Sequence, residues 1–377
     1  MAVTLSLQLQ EQEPRKMIGK QLPPSPKVRF PSSDPLRWKD QNRLRIDRSF
    51  LYQSILFPSL LLLLLPNLYL YFYTETCTWG LSGADIKLAL FGDPQIEGNA
   101  KLAREPFTGW LDLAFNDAYI QHIYTRILRT LKPTHAIVMG DLFSSQYIMD
   151  DEFELRAHRL NQAFAQASLS SWLIRIRAHA MLGRVDRFVR EFGPVNAEWV
   201  EDSGVRVVVV NSMALESAVH GHLKQETWEH LWVTSQKQAQ DPRPLLLLSH
   251  IPLYKPEGVC FDPPEIHWVW GYVSSQTQLT PAVSQWILRY LQPTWILAGH
   301  DHEGCMTRHR LVIGPDGVEE GHVVTGLRNP WPSPLSPDIT VVADAQELTV
   351  RSMMGDYGGY TGLLAGRKAA NGGINVG

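Results

Sequence analysis

The 377-residue chain sets 35 Lys and Arg against 38 Asp and Glu, a formal net charge of -3, with 44% hydrophobic and 19% charged residues. That balance supplies no broad basic field, so nucleic acid is not an implied partner, and the apolar content suffices for one large core or two small ones. Three cysteines, Cys77, Cys260 and Cys305, exclude a disulfide scaffold and a thiolate zinc module.

Residues 1–49 are polar, carry Pro23, Pro24, Pro26, Pro31 and Pro35, and hold no helical period, which predicts a flexible basic tail. From Phe50 to Tyr73 there is no charged residue, a length that meets the requirement of a bilayer span. Arg43, Arg45 and Arg48 flank one end, and Tyr69, Tyr71, Phe72 and Tyr73 crowd the other, as an interfacial belt does. The expectation is a signal anchor over 50–73 with the tail cytosolic and the remainder lumenal, a type II single-pass arrangement. A cleaved signal peptide and a buried helix are the other readings of the same run.

After Gly83, short apolar strands alternate with amphipathic helices, the pattern of a layered α/β domain. Ile86 to Phe91 reads as a strand. Ala118 to Leu131 has helical spacing, Pro133 stops it, and the strand Ala136 to Met139 follows. The same sequence of features returns as helix Val283 to Leu291, Pro293 and strand Trp295 to Ala298. Between these units lie strands Trp172 to Ile176, Val205 to Val210 and Leu245 to Leu248. Arg310 to Ile313, Val323 to Leu327 and Ile339 to Val342 come after them. Two sheets packed face to face accommodate these strands within a domain over 84–356, and the glycine-rich stretch 357–377 reads as a disordered end.

Metal-ligand residue types stand just beyond four of these strands: Gly92-Asp93-Pro94-Gln95, Gly140-Asp141, Ser249-His250 and Gly299-His300-Asp301-His302. Glycine precedes the ligand type in three of them, where it permits a sharp turn and close approach to an ion. Carboxylate, carboxamide and imidazole together suit Mn, Fe or Zn, and paired ions of this kind clamp a phosphoryl group for hydrolysis. Singly, each motif is more often a turn or a core histidine; their order and their places at strand ends carry the reading.

In that order the motifs resemble the calcineurin-like metallophosphoesterases. More narrowly, Phe91-Gly92-Asp93-Pro94-Gln95, Phe192-Gly193-Pro194-Val195-Asn196, Ser249-His250-Ile251-Pro252-Leu253-Tyr254 and Gly299-His300-Asp301-His302-Glu303 resemble the fungal branch of a particular group. Its members are ER phosphodiesterases that trim ethanolamine phosphate from GPI-anchor glycans. The resemblance implies a four-layer α/β/β/α sandwich and two divalent ions, with Mn expected. By it, Asp93, Gln95 and His302 hold one ion, Asp141 bridges, and His250 and His300 hold the second. Asp141 and His250 are the expected catalytic residues. It also implies an ER-membrane location, a GPI glycan or GPI-anchored protein as substrate, and a role in ER-to-Golgi transport.

One departure matters. The family carries Gly-Asn-His followed by Asp or Glu between its second and fourth motifs, and this chain does not. Its strand from Trp172 runs instead into Arg177-Ala178-His179-Ala180. Either a short segment is missing or one metal site is impaired, and His179, beside Arg175 and Arg177, is a poor substitute. A catalytically impaired glycan- or cargo-binding relative is therefore the alternative function.

Between Val259 and Tyr272, His267, Trp268, Trp270 and Tyr272 either rim the site for a glycan or fill loop space beneath it. Cys260 and Cys305 each follow a motif closely, which leaves open a disulfide between their loops. His220, His222, His230 and His309 read as surface imidazoles without a role.

Overall fold

This computed structural model describes residues 52–145, 147–165, 172–175, 185–216, 221–314, 317, 319–326, 338–368 and 374–376. The expected tail over 1–49, and His179, lie outside the described residues. The chain divides into two units, 1–64 and 65–377. The described part of the first is a π-helical turn, Tyr52–Leu56, and the opening turns of a helix that runs Phe57–Phe72.

Among the described residues no helix is long and apolar enough to cross a membrane. The π-helical turn runs directly into this helix, whose residues from 65 on belong to the second unit. Tyr71 stacks on His122 with ring centroids 4.0 Å apart, Arg126 pairs with Glu75 at 2.6 Å, and Thr74 is buried.

Among its described residues the second unit holds fourteen strands: β1 Ile86–Phe91, β2 His135–Val138, β3 Trp172–Arg175, β4 Ala197–Val200, β5 Arg206–Val209, β6 Leu245–Leu248, β7 Ile266–Val269, β8 Tyr272–Gln276, β9 Trp295–Ala298, β10 Cys305–Ile313, β11 Glu319–Gly326, β12 Thr340–Thr349, β13 Gly362–Lys368 and β14 Ile374–Val376. One sheet is ordered β14-β13-β1-β2-β3 and a second β11-β10-β12-β9-β6-β5-β4, with β7 and β8 forming a separate hairpin. The neighbours β1, β2 and β3 run parallel, as do β5, β6, β9 and β12. Parallel strands covered on both faces have no polar side to show, which is why they read as unbroken apolar runs.

The period-2 alternation of these strands sorts side chains into three cores. Leu88, Leu90, Ile137 and Met139 meet Val207, Leu246, Leu248 and Leu297 between the sheets. Ala89, Phe91 and Val138 face the other way, onto Ile120, Tyr124 and Leu128 of helix Gly109–Leu131 and Leu160 of helix Asp150–Ala163. Val208, Leu247 and Ile296 face Leu231 of helix Gly221–Gln240 and Ile287 and Leu288 of helix Pro281–Tyr290. The result is helix, sheet, sheet, helix. Both expected proline stops hold. Lys132, left-handed with φ 48°, caps the first helix before Pro133, and Gln292, also with φ 48°, follows the end of the second before Pro293.

The C-terminal stretch corrects another expectation. Rather than a disordered end, 357–377 supplies β13, which pairs antiparallel with β1 from Ile86↔Gly366 to Leu90↔Gly362, and β14. The sheet therefore extends beyond residue 356. Leu364 and Ala365 are buried there, and flanking glycines mask a short apolar strand in the composition.

Candidate metal centre

Parallel strands deliver their carboxyl ends to one edge, where loops from the two sheets meet. Asp93 and Gln95 follow β1 and Asp141 follows β2, in the five-stranded sheet; His250 follows β6, and His300 and His302 follow β9, in the seven-stranded one. All six expected ligand residues converge at this seam. Gln95 Nε2 lies 3.2 Å from Asp141 Oδ2 and 3.0 Å from His302 Nε2. His302 Nε2 is 3.7 Å from Asp93 Oδ2, and His250 Nε2 is 3.3 Å from Asp141 Oδ1. Asp141, His250 and His300 form a group whose ligand atoms lie within 4.8 Å of one another.

Backbone strain marks the same positions. Asp93, Gln95, Asp141 and His300 have φ of 38°, 42°, 39° and 72°, a left-handed region that non-glycine residues enter at a cost of order 1–3 kcal/mol. Two glycines are sterically required. A Cβ on Gly140, whose φ is +119°, would fall 2.2 Å from His250 Nδ1, and one on Gly299 would fall 2.8 Å from Asp93 Oδ1.

Two of the three imidazoles are oriented by a carbonyl. His250 Nδ1 lies 2.9 Å from Met139 O, and His300 Nε2 lies 3.0 Å from Gln276 O. A carbonyl only accepts, so each of these nitrogens carries the proton and the opposite nitrogen turns a lone pair toward the seam. Those nitrogens, His250 Nε2 and His300 Nδ1, are buried with Asp93 Oδ1, and none of the three makes a hydrogen bond among the described residues. Buried polar atoms left unsatisfied are costly, and His250 and His300, whose ligand atoms lie with that of Asp141 within 4.8 Å of one another, fit a bound cation.

The electrostatics agree. Burial raises the Asp93 carboxyl to about 7 against the pull of His250. Burial also opposes charge on His250, but Asp141 and then Asp93 outweigh it and push this imidazole up to about 9. His300, desolvated and beside His250, is held down to about 4. A seam that recruits a proton onto His250 is one whose carboxylates seek positive charge.

Several positioning groups escaped the sequence reading. Ser212 Oγ accepts from His250 N and Ile251 N, and Ser352 Oγ donates to Asp93 O while Ser352 N donates to His302 O. Asn211 is fully buried with both side-chain amide atoms unpartnered among the described residues. Each is a polar residue just beyond an apolar strand, β5 or β12, the same signal that marks the ligands. Cys260 and Cys305 form a disulfide with Cα atoms 5.8 Å apart, so the loop after His250 is tied to the loop after His302. Of the two readings of the loop rings, filling loop space does not fit Trp270 and Trp268, which are 95% and 59% exposed. His309, read as a surface residue, is fully buried.

A layered domain whose strand ends gather carboxylates, a carboxamide and imidazoles defines the class of divalent-metal hydrolases. The calcineurin-like phosphoesterase model matches residues 86–304, and the chain belongs to that family. It is a metallophosphoesterase. Among curated relatives, Protein TED1 of Saccharomyces cerevisiae is 28% identical over 372 residues, covering 75% of this chain and 74% of that one. Metallophosphoesterase 1 of Rattus norvegicus is 27% identical over 245 residues, covering 56% of this chain and 59% of that protein, so the chain spans less than two thirds of its length. A dimetal phosphatase from Danio rerio aligns with a TM-score of 0.43 at 12% identity, over 71% of this chain and 88% of that one, a likeness too loose to carry an argument.

Proposed function

We propose that the chain is a divalent-metal phosphodiesterase that removes ethanolamine phosphate from GPI-anchor glycans, acting at the ER membrane in support of the export of GPI-anchored proteins. The observation that carries the chemistry is the seam, with three donor residues from each sheet and three buried atoms left unsatisfied between them. Two divalent ions, with manganese expected, would supply Lewis-acid chemistry toward a phosphoryl group there. Asp93, Gln95 and His302 would hold one ion and His250 and His300 the second, with Asp141 available to both. Met139 O and Gln276 O fix which imidazole nitrogen faces the ions. The substrate and location rest on motif resemblance. Membrane attachment is supported by the outward-facing apolar run that includes Phe57, Leu62 and Leu63, exposed by 64%, 72% and 67%.

The missing Gly-Asn-His motif favours a second reading, a relative that binds glycan without cleaving it. The test is manganese-dependent hydrolysis of bis(p-nitrophenyl) phosphate by the detergent-purified chain. It runs beside Asp141→Asn and a version with Gly-Asn-His-Asp restored after β3. Turnover by the chain that Asp141→Asn abolishes supports the enzyme reading. Turnover by the restored version alone supports the second reading, and turnover by neither sinks the proposal.

A further inference from the structure

The β7–β8 hairpin is poorly explained by folding. Its strands pair from Ile266↔Gln276 to Val269↔Tyr272, and the turn between them is Trp270-Gly271, with φ of 50° and 82°. A two-residue turn with both φ positive calls for Asn-Gly or Gly-Gly, and a left-handed backbone costs a bulky residue roughly 1–2 kcal/mol. Trp270 occupies that position while 95% exposed, so it is unfavourable both in backbone and in hydration. Around it Trp268, Val269 and Tyr272 are 59%, 49% and 54% exposed, and Val273 is the one buried residue from Ile266 to Gln276.

The root of the hairpin is part of the metal centre. Gln276 O accepts from His300 Nε2, and Gln276 Nε2 donates to Glu216 Oε2 at 3.1 Å. Four residue steps separate this root from Tyr272, about 13 Å at strand rise. The aromatic tip therefore stands beyond the reach of the phosphoester itself, where the rest of a large substrate would extend. Charge narrows the ligand. Between Lys255 and Arg289 there is no Lys or Arg, while Glu257, Asp262 and Glu265 are present. Exposed indole faces with acidic residues and no Lys or Arg in the same segment, His267 being paired with Glu265, fit the apolar C–H face of a neutral sugar, and do not fit an anionic lipid headgroup.

We propose that this hairpin is a carbohydrate-stacking arm, with Trp268 and Trp270 binding the glycan of the substrate about 10 Å or more along the strand from the hairpin root at Gln276. The inference rests on the glycan-phosphodiester reading above and adds where the glycan is held. Contact that far from the reacting centre lets the enzyme use binding of the remote part of the substrate to position its phosphorus.

The test uses the full chain, Trp268→Ala, and Trp270→Asn. Asparagine suits the left-handed turn, so Trp270→Asn is expected to fold at least as well as the parent. Each protein is assayed on ethanolamine phosphate esterified to a mannotriose and on bis(p-nitrophenyl) phosphate, and mannotriose binding is followed by tryptophan fluorescence. The expected result is a fall of about tenfold in kcat/KM on the glycan ester and in mannotriose affinity, with turnover of the small ester within twofold of the parent. Equal losses on both esters, or unchanged mannotriose binding in both variants, overturn the assignment. So does loss of binding to phosphatidylcholine vesicles with glycan turnover intact, which would give the arm to the bilayer. If the parent cleaves neither ester, the phosphodiesterase reading fails, while fluorescence still decides whether the arm binds sugar.

Discussion

Two buried clusters of acid and imidazole lie in this domain, and they differ in how far their atoms are satisfied. In the metal centre, Asp93 Oδ1, His250 Nε2 and His300 Nδ1 are buried without hydrogen bonds among the described residues. The other cluster is Lys255, Glu347 and His309, all fully buried. There Glu347 pairs with Lys255, accepts from Leu253 N at 2.8 Å and from Thr349 Oγ1 at 3.2 Å, and lies 3.8 Å from His309. His309 in turn meets Thr307 and, at 2.9 Å, His322. Similar side chains thus leave ligand atoms without hydrogen bonds in one place and, around Glu347, gather a pairing network in the other. The supply of local partners separates function from scaffolding here.

The sharpest way to break this comparison is by substitution in each cluster. Asp141→Asn is expected to lower manganese-dependent phosphodiester turnover by at least about 10²-fold while leaving the unfolding midpoint of the metal-free protein nearly unchanged. Glu347→Gln should do the reverse. It strands the Lys255 ammonium in the core and should cost about 3–5 kcal/mol in denaturant unfolding. Lys255 and His309 outweigh burial and hold the Glu347 carboxyl at about 2, below its ordinary 4.5. Its contribution is therefore complete above pH 4.5 and lost as the pH falls toward 2, so acid unfolding of the parent should show a component that Glu347→Gln lacks.

Joining Cys260 to Cys305 closes a loop over a sequence separation of 45, and Cys260→Ser with Cys305→Ser should cost about 2–4 kcal/mol, read as a lower Tm that dithiothreitol reproduces in the parent. The smallest effect concerns protons. Asp93, raised to about 7, and His250, raised to about 9, must both be deprotonated to act as ligands. Manganese binding should therefore release protons and strengthen as the pH rises from 6 to 9. Calorimetry in buffers of different ionisation enthalpy measures that release, and buffer-independent heats would contradict the site electrostatics.

The seam was legible in the sequence because its signal is local: an apolar strand, then a turn residue, then a ligand. Ser212 and Ser352 obey the same rule and were missed only because serine after a strand is common. Lys255, Glu347 and His309 were not legible, since their burial depends on pairing between β12, β10 and the loop after β6, residues far apart in the chain. The strand β13 was hidden by its glycines. The β7–β8 hairpin was hidden by a tryptophan in a place where asparagine or glycine would have announced a turn.

Because the donor residues are divided equally between two sheets that share no strand, neither sheet owns the centre. Catalytic competence is then a measure of registry between them: any slippage or breathing along the β2–β6 contact, where Met139 O meets His250, separates the trios before either sheet has lost its own ladder. Bound ions would act as rivets across that joint, so amide exchange around Met139 and His250 should slow on loading with manganese while the outer strands β4 and β11 stay unchanged.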